Sequence, residues 1–421
     1  MPSKKENQES KEQIFCVFVN ENDEEDDYAE LELEGLIEAA GAEVCGSARQ
    51  RVARPRSATY VGKGKVEEIK EAAAEVSSDL VCFDCELSGV QIRNLEEVIG
   101  KPVIDRTQLI LDIFARRAWT KEGQLQVELA QYSYRLPRLM SFYTKFERQR
   151  GGIGMRGPGE TKLESDRRMV RDRIAKLTKE IATVKQHREL LREGRKSQPY
   201  PVVAIVGYTS AGKSTLMNRL SSAGVLVDAM PFATLDPTTR LVDLPDGYKF
   251  FVTDTVGFIR NLPTLLVAAF RATLEELLHA DVLMHVIDVS NPDWEMQHEA
   301  VLETIEVLGA QDIPVLTVFN KIDIASDAEG VRRLAVEWPH SVSISALSGE
   351  GVDEMLQLVK TMLSGKLGRV TALVPYDQAS LVEKAYDFGT IITKEYRDDG
   401  IYLVADVVDE MRGRLEKYAV Q

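Results

Sequence analysis

Residues 207–214 read Gly-Tyr-Thr-Ser-Ala-Gly-Lys-Ser and satisfy the spacing G-x-x-x-x-G-K-[ST]. Gly207 and Gly212 leave the backbone free to close around an anion, and the N–H groups of Tyr208, Thr209, Ser210 and Ala211 lie between them. Lys213 supplies a cation to the β- and γ-phosphates of a nucleotide, and Ser214 a hydroxyl for Mg²⁺. Thr215 lies in the first turn of a helix whose positive end faces the phosphates. Further along, Asp254-Thr-Val-Gly257 closes an apolar run. Its carboxylate can hold Mg²⁺ through water, and the Gly257 N–H can meet a γ-phosphate. Asn320-Lys321-Ile-Asp323 ends the next such run. The Asp323 carboxylate can accept from guanine N1–H and the 2-amino group, a donor pair that adenine lacks. Leaving such a group unpaired costs up to ~10⁴-fold in discrimination. Ser345-Ala346 closes the last run, with backbone to offer guanine O6. The set implies a site for GTP and GDP with Mg²⁺, in which Lys213, Gly257 and a γ-phosphate sensor act on the reacting phosphate.

The sensor should lie between the phosphate loop and Asp254, where Phe232-Ala-Thr-Leu-Asp-Pro-Thr-Thr-Arg240 offers Thr234, Thr238 and Thr239. Thr234 is taken as the one that ligates Mg²⁺ while the γ-phosphate is present. After Gly257 comes Phe258, where many GTPases place a water-orienting glutamine. A phenyl ring can neither orient nor deprotonate water. One reading is a GTP-gated adaptor with incidental hydrolysis. The other is an enzyme with slow turnover that awaits a group from a partner, and the intact Lys213, Ser214 and Asp254 favour it.

These motifs need strand ends to hold them. Val202–Val206, Lys249–Thr253, Ile313–Phe319 and Val342–Ile344 are apolar runs of the kind that form a buried parallel sheet, and Thr215–Leu220 reads as the helix after the first. A P-loop α/β domain is expected over residues 199–365. A small α/β domain should precede it over 1–117, with strands at Ile14–Val19, Leu80–Phe83 and Val103–Asp105 between helices at Tyr28–Ala40, Val66–Val76 and Gly89–Ile99. Residues 118–198 should form an antiparallel helical hairpin. Its arms are Leu125–Phe146, with Pro137 expected to kink or break it, and Glu160–Glu193. The five glycines of Gly151–Gly159 suit an irregular tip. A small C-terminal α/β domain, 366–421, has strands near Gly389–Thr393 and Ile401–Ala405.

With 421 residues, 44% hydrophobic and 28% charged, the chain suits two to four globular domains. It holds no apolar run long enough to span a bilayer, and its polar start is unlike a secretory signal. A cytoplasmic monomer is expected. Four cysteines are too few for a disulfide scaffold at this length. Cys82 and Cys85 form a lone C-x-x-C, read as two packed or partly exposed thiols rather than as a metal or redox pair. The net charge of −15 argues against general nucleic-acid binding, but it is unevenly spread. Acid gathers in Glu21–Asp27. Ala48–Lys65 holds six Lys/Arg and no carboxylate and reads, by itself, as a solvated loop. Between Arg135 and Arg173, eleven Lys/Arg face five Asp/Glu, a local excess of +6.

Outside the nucleotide motifs, the chain resembles the HflX family of ribosome-associated GTPases nearly end to end. The resemblance is carried by Tyr60-Val-Gly-Lys-Gly-Lys65, Phe83-Asp-Cys-Glu-Leu87, Gln91-Ile-Arg-Asn-Leu95 and Asp105–Ala115. Gly123–Ala130, Gly157-Pro-Gly-Glu-Thr-Lys-Leu163, Phe232–Pro237 and Asp254–Ile259 add to it. Phe258 fits the family's hydrophobic residue at the glutamine position. The resemblance implies binding to the large ribosomal subunit and its rRNA, hydrolysis stimulated by ribosomes, and the splitting or rescue of stalled ribosomes. In that setting the basic hairpin becomes a candidate for rRNA contact, since phosphate charge dominates such binding. One departure is Ser210, where the family usually has an asparagine that helps hold a monovalent cation.

Overall fold

The computed structural model describes residues 11–20, 27–147, 158–195, 200–220, 238–245, 248–255, 257–260, 277–364, 367–387 and 389–420. The chain forms two compact units that part between Thr183 and Val184.

The first unit alternates strand and helix: β1 (Gln13–Asn20), α1 (Asp27–Ala39), β2 (Glu43–Arg51), α2 (Lys63–Glu75), β3 (Leu80–Phe83), α3 (Gly89–Ile99), β4 (Val103–Asp105) and α4 (Arg106–Arg117). The strands form a parallel sheet in the order β2-β1-β3-β4. Phe15, Val17, Val81 and Phe83 pack one face of it against Ile69, Leu95 and their neighbours. The start of the basic stretch from Ala48 is not a loop. Ala48–Arg51 lies in edge strand β2, paired with β1 in the register Ala48 to Val17 and Arg51 to Asn20. An edge strand of a sheet buries little, so its arginines stay in water while its backbone is paired. Cys82 is a buried thiol and Cys85 a half-buried one. Burial holds both above the usual range, Cys85 at about 12, the opposite of the lowered values that make such pairs reactive.

Two long helices follow, α5 (Lys121–Glu147) and α6 (Pro158–Arg195). Helix α5 runs through Pro137 without interruption, so the break expected there is absent. α6 begins at Pro158, so Pro158 and Gly159 belong to its first turn and not to an irregular tip. Proline is favoured there because its missing N–H would be unpaired anyway. Residues 148–157, including Arg150 and Arg156, lie outside the described residues. Arg173 of α6 grips Glu128 of α5 through both carboxylate oxygens, at 2.6 and 2.7 Å, and Leu177 is fully buried. The anchor of α5 on the sheet is Asp105, itself wholly buried. One oxygen accepts from Gln108 N–H at 2.9 Å, capping α4, and from the Tyr134 hydroxyl at 2.7 Å. The other accepts from Leu87 N–H at 3.1 Å and Arg138 at 3.2 Å. The Arg138 guanidinium lies 3.4 Å over the Tyr134 ring, so both α5 residues are fixed together.

The second unit carries β5 (Val202–Gly207), α7 (Lys213–Leu220), β6 (Thr238–Asp243), β7 (Lys249–Asp254), β8 (Val282–Asp288), α8 (Trp294–Leu308), β9 (Val315–Asn320), α9 (Ala328–Glu337), β10 (Ser341–Ser343) and α10 (Val352–Ser364). Its six-stranded sheet has the order β10-β9-β8-β5-β7-β6 and is parallel except for the edge strand β6. β5, β8 and β9 are almost wholly buried, as continuous apolar runs in a parallel sheet must be. Val203, Ile205, Met284, Val286, Leu316 and Val318 fill the core on one face. The chain continues into β11 (Leu367–Val374), α11 (Ala379–Asp387), β12 (Gly389–Arg397), β13 (Gly400–Val408) and α12 (Asp409–Leu415). These strands form an antiparallel sheet in the order β11-β13-β12.

Candidate functional site

The residues expected to act together stand at the carboxyl ends of β5, β7 and β9 and just beyond β10, where parallel sheets place their ligands. The loop 207–212 joins β5 to α7 and depends on its glycines. Gly212 has φ +96, and a Cβ there would lie 2.3 Å from Asn320 Nδ2. Gly207 has φ +152, and a Cβ would lie 2.3 Å from the Val286 carbonyl. Ser210 is also in the left-handed region, at φ 63, a conformation that asparagine tolerates better than serine.

Lys213 is buried, and its Nζ donates to the carbonyls of Gly207 at 3.0 Å and Tyr208 at 2.7 Å. Burial pushes its ammonium down to about 8, with Asp254 opposing the shift. The cation therefore lies inside the loop that would receive the phosphates. Ser214 Oγ donates to Asp254 Oδ2 at 3.0 Å, and Asp254 Oδ1 accepts from Thr255 N–H at 2.9 Å. A hydroxyl and a carboxylate at this separation are a hard oxygen pair, suited to Mg²⁺ that takes its remaining ligands from phosphate and water.

The segment after Asp254 runs beside the phosphate loop as a continuation of the sheet. Thr209 N–H donates to the Phe258 carbonyl at 2.8 Å, and Phe258 N–H donates to the Gly207 carbonyl at 3.0 Å. Arg260 N–H donates to the Tyr208 hydroxyl at 2.7 Å. A Cβ on Gly257 would come within 3.0 Å of Lys213 Nζ and of Thr209, so glycine allows the close approach. The Phe258 side chain is 2% exposed, packed into the fold rather than offered to the site.

Asn320 joins the phosphate side to the base side. Its Nδ2 donates to the Ala211 carbonyl at 2.8 Å and its Oδ1 accepts from Ala346 N–H at 2.9 Å. The Ala346 N–H expected to face guanine O6 is thus held by Asn320 in this structure. Ser345 is buried and its Oγ accepts from Ser348 N–H at 3.0 Å, shaping the turn. Asp323 is exposed, on the turn after β9. Lys321 follows Asn320 in the left-handed region at φ 68. Thr215 lies in α7 as expected.

Of the three candidate sensors, Thr234 lies outside the described residues. Thr238 and Thr239 open β6, and the Thr239 hydroxyl is 3.0 Å from that of Thr253. Two polar residues escape a motif-based reading. Arg219 of α7 donates to the carbonyls of Ala346, at 2.7 Å, and Leu347, fastening the base-side loop to the phosphate-loop helix. Asp288, at the end of β8, pairs with Lys321 at 2.6 Å. For Asp288 a signal existed: Val282–Asp288 is an apolar run closed by a carboxylate, like the run closed by Asp254.

Four family models together match most of the chain. They are "GTP-binding GTPase N-terminal" over residues 27–115, "GTP-binding GTPase Middle Region" over 117–195, "50S ribosome-binding GTPase" over 202–321 and "HflX C-terminal domain" over 331–417. The chain is 47% identical over 404 residues to GTPase HflX of Lacrimispora saccharolytica, covering 96% of this chain and 95% of that protein. To GTPase HflX of Escherichia coli it is 42% identical over 388 residues, covering 92% and 90%. Among solved structures, a GTP-binding protein of Sulfolobus solfataricus in complex with GDP is 25% identical and matches over 83% of this chain and 98% of its own, with a TM-score of 0.44. The phosphate loop, the aspartate and glycine that close on it, and the identity shared along nearly the whole chain agree: this chain belongs to the HflX family of GTPases.

Proposed function

We propose that this protein is a cytoplasmic monomer that hydrolyses GTP with Mg²⁺ when docked on the large ribosomal subunit, and that its cycle splits or rescues stalled ribosomes. The observation that carries the docking is Phe258. Its ring is packed into the fold, and the backbone on either side of it is tied to Gly207 and Thr209, so position 258 supplies no group to orient water. A partner must complete the site, and a family model described as "50S ribosome-binding GTPase" matches residues 202–321, which include the phosphate loop, Asp254, Gly257 and Phe258. The local excess of positive charge between Arg135 and Arg173 suits contact with rRNA phosphates. Among the described residues no helix is long and apolar enough to cross a membrane. The divisions 1–117, 118–198, 199–365 and 366–421 are proposed as the working parts; the family models run 27–115, 117–195, 202–321 and 331–417, so the last of them starts well before residue 366.

In this reading Lys213 and the loop N–H groups receive the β- and γ-phosphates, Ser214 and Asp254 hold Mg²⁺, the latter through water, and Gly257 N–H meets the γ-phosphate. Asn320, Asp323 and Ala346 frame guanine. Mg²⁺ supplies charge neutralisation at the transferred phosphate. Thr234 is the proposed sensor.

GTPase rate with and without purified large subunits tests the proposal. Stimulation of at least tenfold is expected, and an equal rate overturns it. Potassium is a second readout. Ser210 has a shorter arm than the asparagine usual in the family, so hydrolysis should be no faster in KCl than in NaCl at equal ionic strength. A several-fold potassium effect would mean that another ligand holds the cation.

A further inference from the structure

The base-side lysine of the proposed guanine pocket is held by a carboxylate outside the nucleotide motifs. Asp288 closes β8 in register with Asn320, the last residue of β9, and Val289 N–H donates to the Asn320 carbonyl at 3.1 Å. The two strand ends therefore form one rigid edge. Asp288 uses its oxygens differently. Oδ1 accepts from Ser290 N–H at 3.0 Å and from the Ser290 hydroxyl at 2.5 Å, fixing the turn after β8. Oδ2 takes the Lys321 ammonium at 2.6 Å. The side chains are 13% and 30% exposed, so the pair is only partly screened by water.

Lys321 needs such a partner. Its left-handed backbone turns its side chain out of the strand pattern, and a four-carbon stem has more rotamer freedom than almost any other. Pinning the ammonium to the end of β8 orders the stem, and an ordered run of methylenes can offer an apolar surface to a planar base while the charge stays paired. We propose that Asp288 is a positioning residue for guanine binding, acting by holding Lys321 as one wall of the base pocket. This rests on the guanine reading of Asn320, Lys321 and Asp323.

Asp288→Asn separates the two jobs of the carboxylate. The amide oxygen still accepts from Ser290, so the turn is kept. The amide N–H₂ replaces the oxygen facing Lys321 and cannot accept from it. With the full chain, the affinity for GDP should fall roughly two- to tenfold, because the released Lys321 stem must then be ordered on binding. Competition by inorganic tripolyphosphate, which has no base, should be unchanged. Asp288→Glu should recover part of the loss. In a Lys321→Met background, Asp288→Asn should add less than twofold, because the partner is already gone. Equal losses for GDP and tripolyphosphate, or full additivity with Lys321→Met, would overturn the proposal and leave Asp288 a turn residue. Failure of the guanine reading itself looks different: the unaltered protein would bind ADP as well as GDP.

Discussion

Replacing Asp323 by asparagine should turn a protein that selects guanosine triphosphate into one that accepts xanthosine triphosphate. The turn bearing Asp323 is well fixed: Ile322 N–H donates to the Ile344 carbonyl at 3.3 Å and Ile324 N–H to the Lys321 carbonyl at 3.1 Å. The substitution therefore changes chemistry and not position. Guanine offers two donors to one carboxylate. In the variant the 2-amino group meets an amide N–H₂, donor against donor, as the base covers both. Xanthine has a carbonyl at that place, which the amide can serve. The GTP affinity should fall by a factor approaching ~10⁴, with xanthosine triphosphate gaining. Equilibrium competition between the two nucleotides decides it, and an unchanged preference would remove guanine from the assignment.

Lys213→Ala should have a comparable effect on the other half of the site, abolishing tight binding of both GTP and its non-hydrolysable analogues. The ammonium is buried, and among the described residues its hydrogen-bond partners are the backbone carbonyls of Gly207 and Tyr208; phosphate oxygens are far better acceptors. Two charge-assisted hydrogen bonds of about 1.5–3 kcal/mol each correspond to a loss of roughly 10²- to 10⁴-fold. Circular dichroism should show an intact fold, since alanine suits the first turn of α7. Wild-type affinity in this variant would sink the phosphate-loop reading. A pH series adds a signature. With the ammonium at about 8 in the free protein, phosphate binding stabilises the charged form and raises that value. Above pH 8 binding must therefore take up a proton, and the affinity should fall by up to about tenfold per pH unit. Below pH 8 the lysine is charged in both states and this dependence vanishes. The alanine variant should show no such slope.

The strand ends that carry the candidate nucleotide site were largely legible, because β5 and β9 are buried on both faces and β7 on most of its length. β5, β7 and β9 announce themselves as apolar runs, and the residue that stops each run is the one with chemistry. Burial does not sort what went unread: β8 is almost wholly buried and was missed although Val282–Asp288 is an apolar run, whereas β2 and β6 lie at sheet edges. β2 mixes Val44 and Ala48 with Arg49 and Arg51, and at a sheet edge its arginines remain solvated, so no hydrophobic period marks it. β6 was hidden for a similar reason: Thr238–Asp243 is an antiparallel edge, and its threonines read as loop chemistry. At Pro137 the break does not occur, because α5 continues through it. Asp288 and Arg219 act on the site through Lys321 and the carbonyls of Ala346 and Leu347. Such ties depend on strand order and loop geometry, which a linear pattern does not contain.

The anchor at Asp105 has a mechanical consequence. Tyr134 and Arg138 meet the same carboxylate one helical turn apart, about 6 Å along α5, while the helix runs on for about 14 Å to Glu147. Two attachments make a clamp and not a pivot. A sideways load at the far end of the arm is therefore delivered to the sheet, magnified about twofold by the ratio of arm to clamp. The load enters at the end of β4 through the two hydrogen bonds from Tyr134 and Arg138 to Asp105, whose oxygens are held in turn by the N–H groups of Leu87 and Gln108. The buried carboxylate thus shares the load on the arm with the packing of α5 against α3 and α4 and with the Arg173–Glu128 tie to α6.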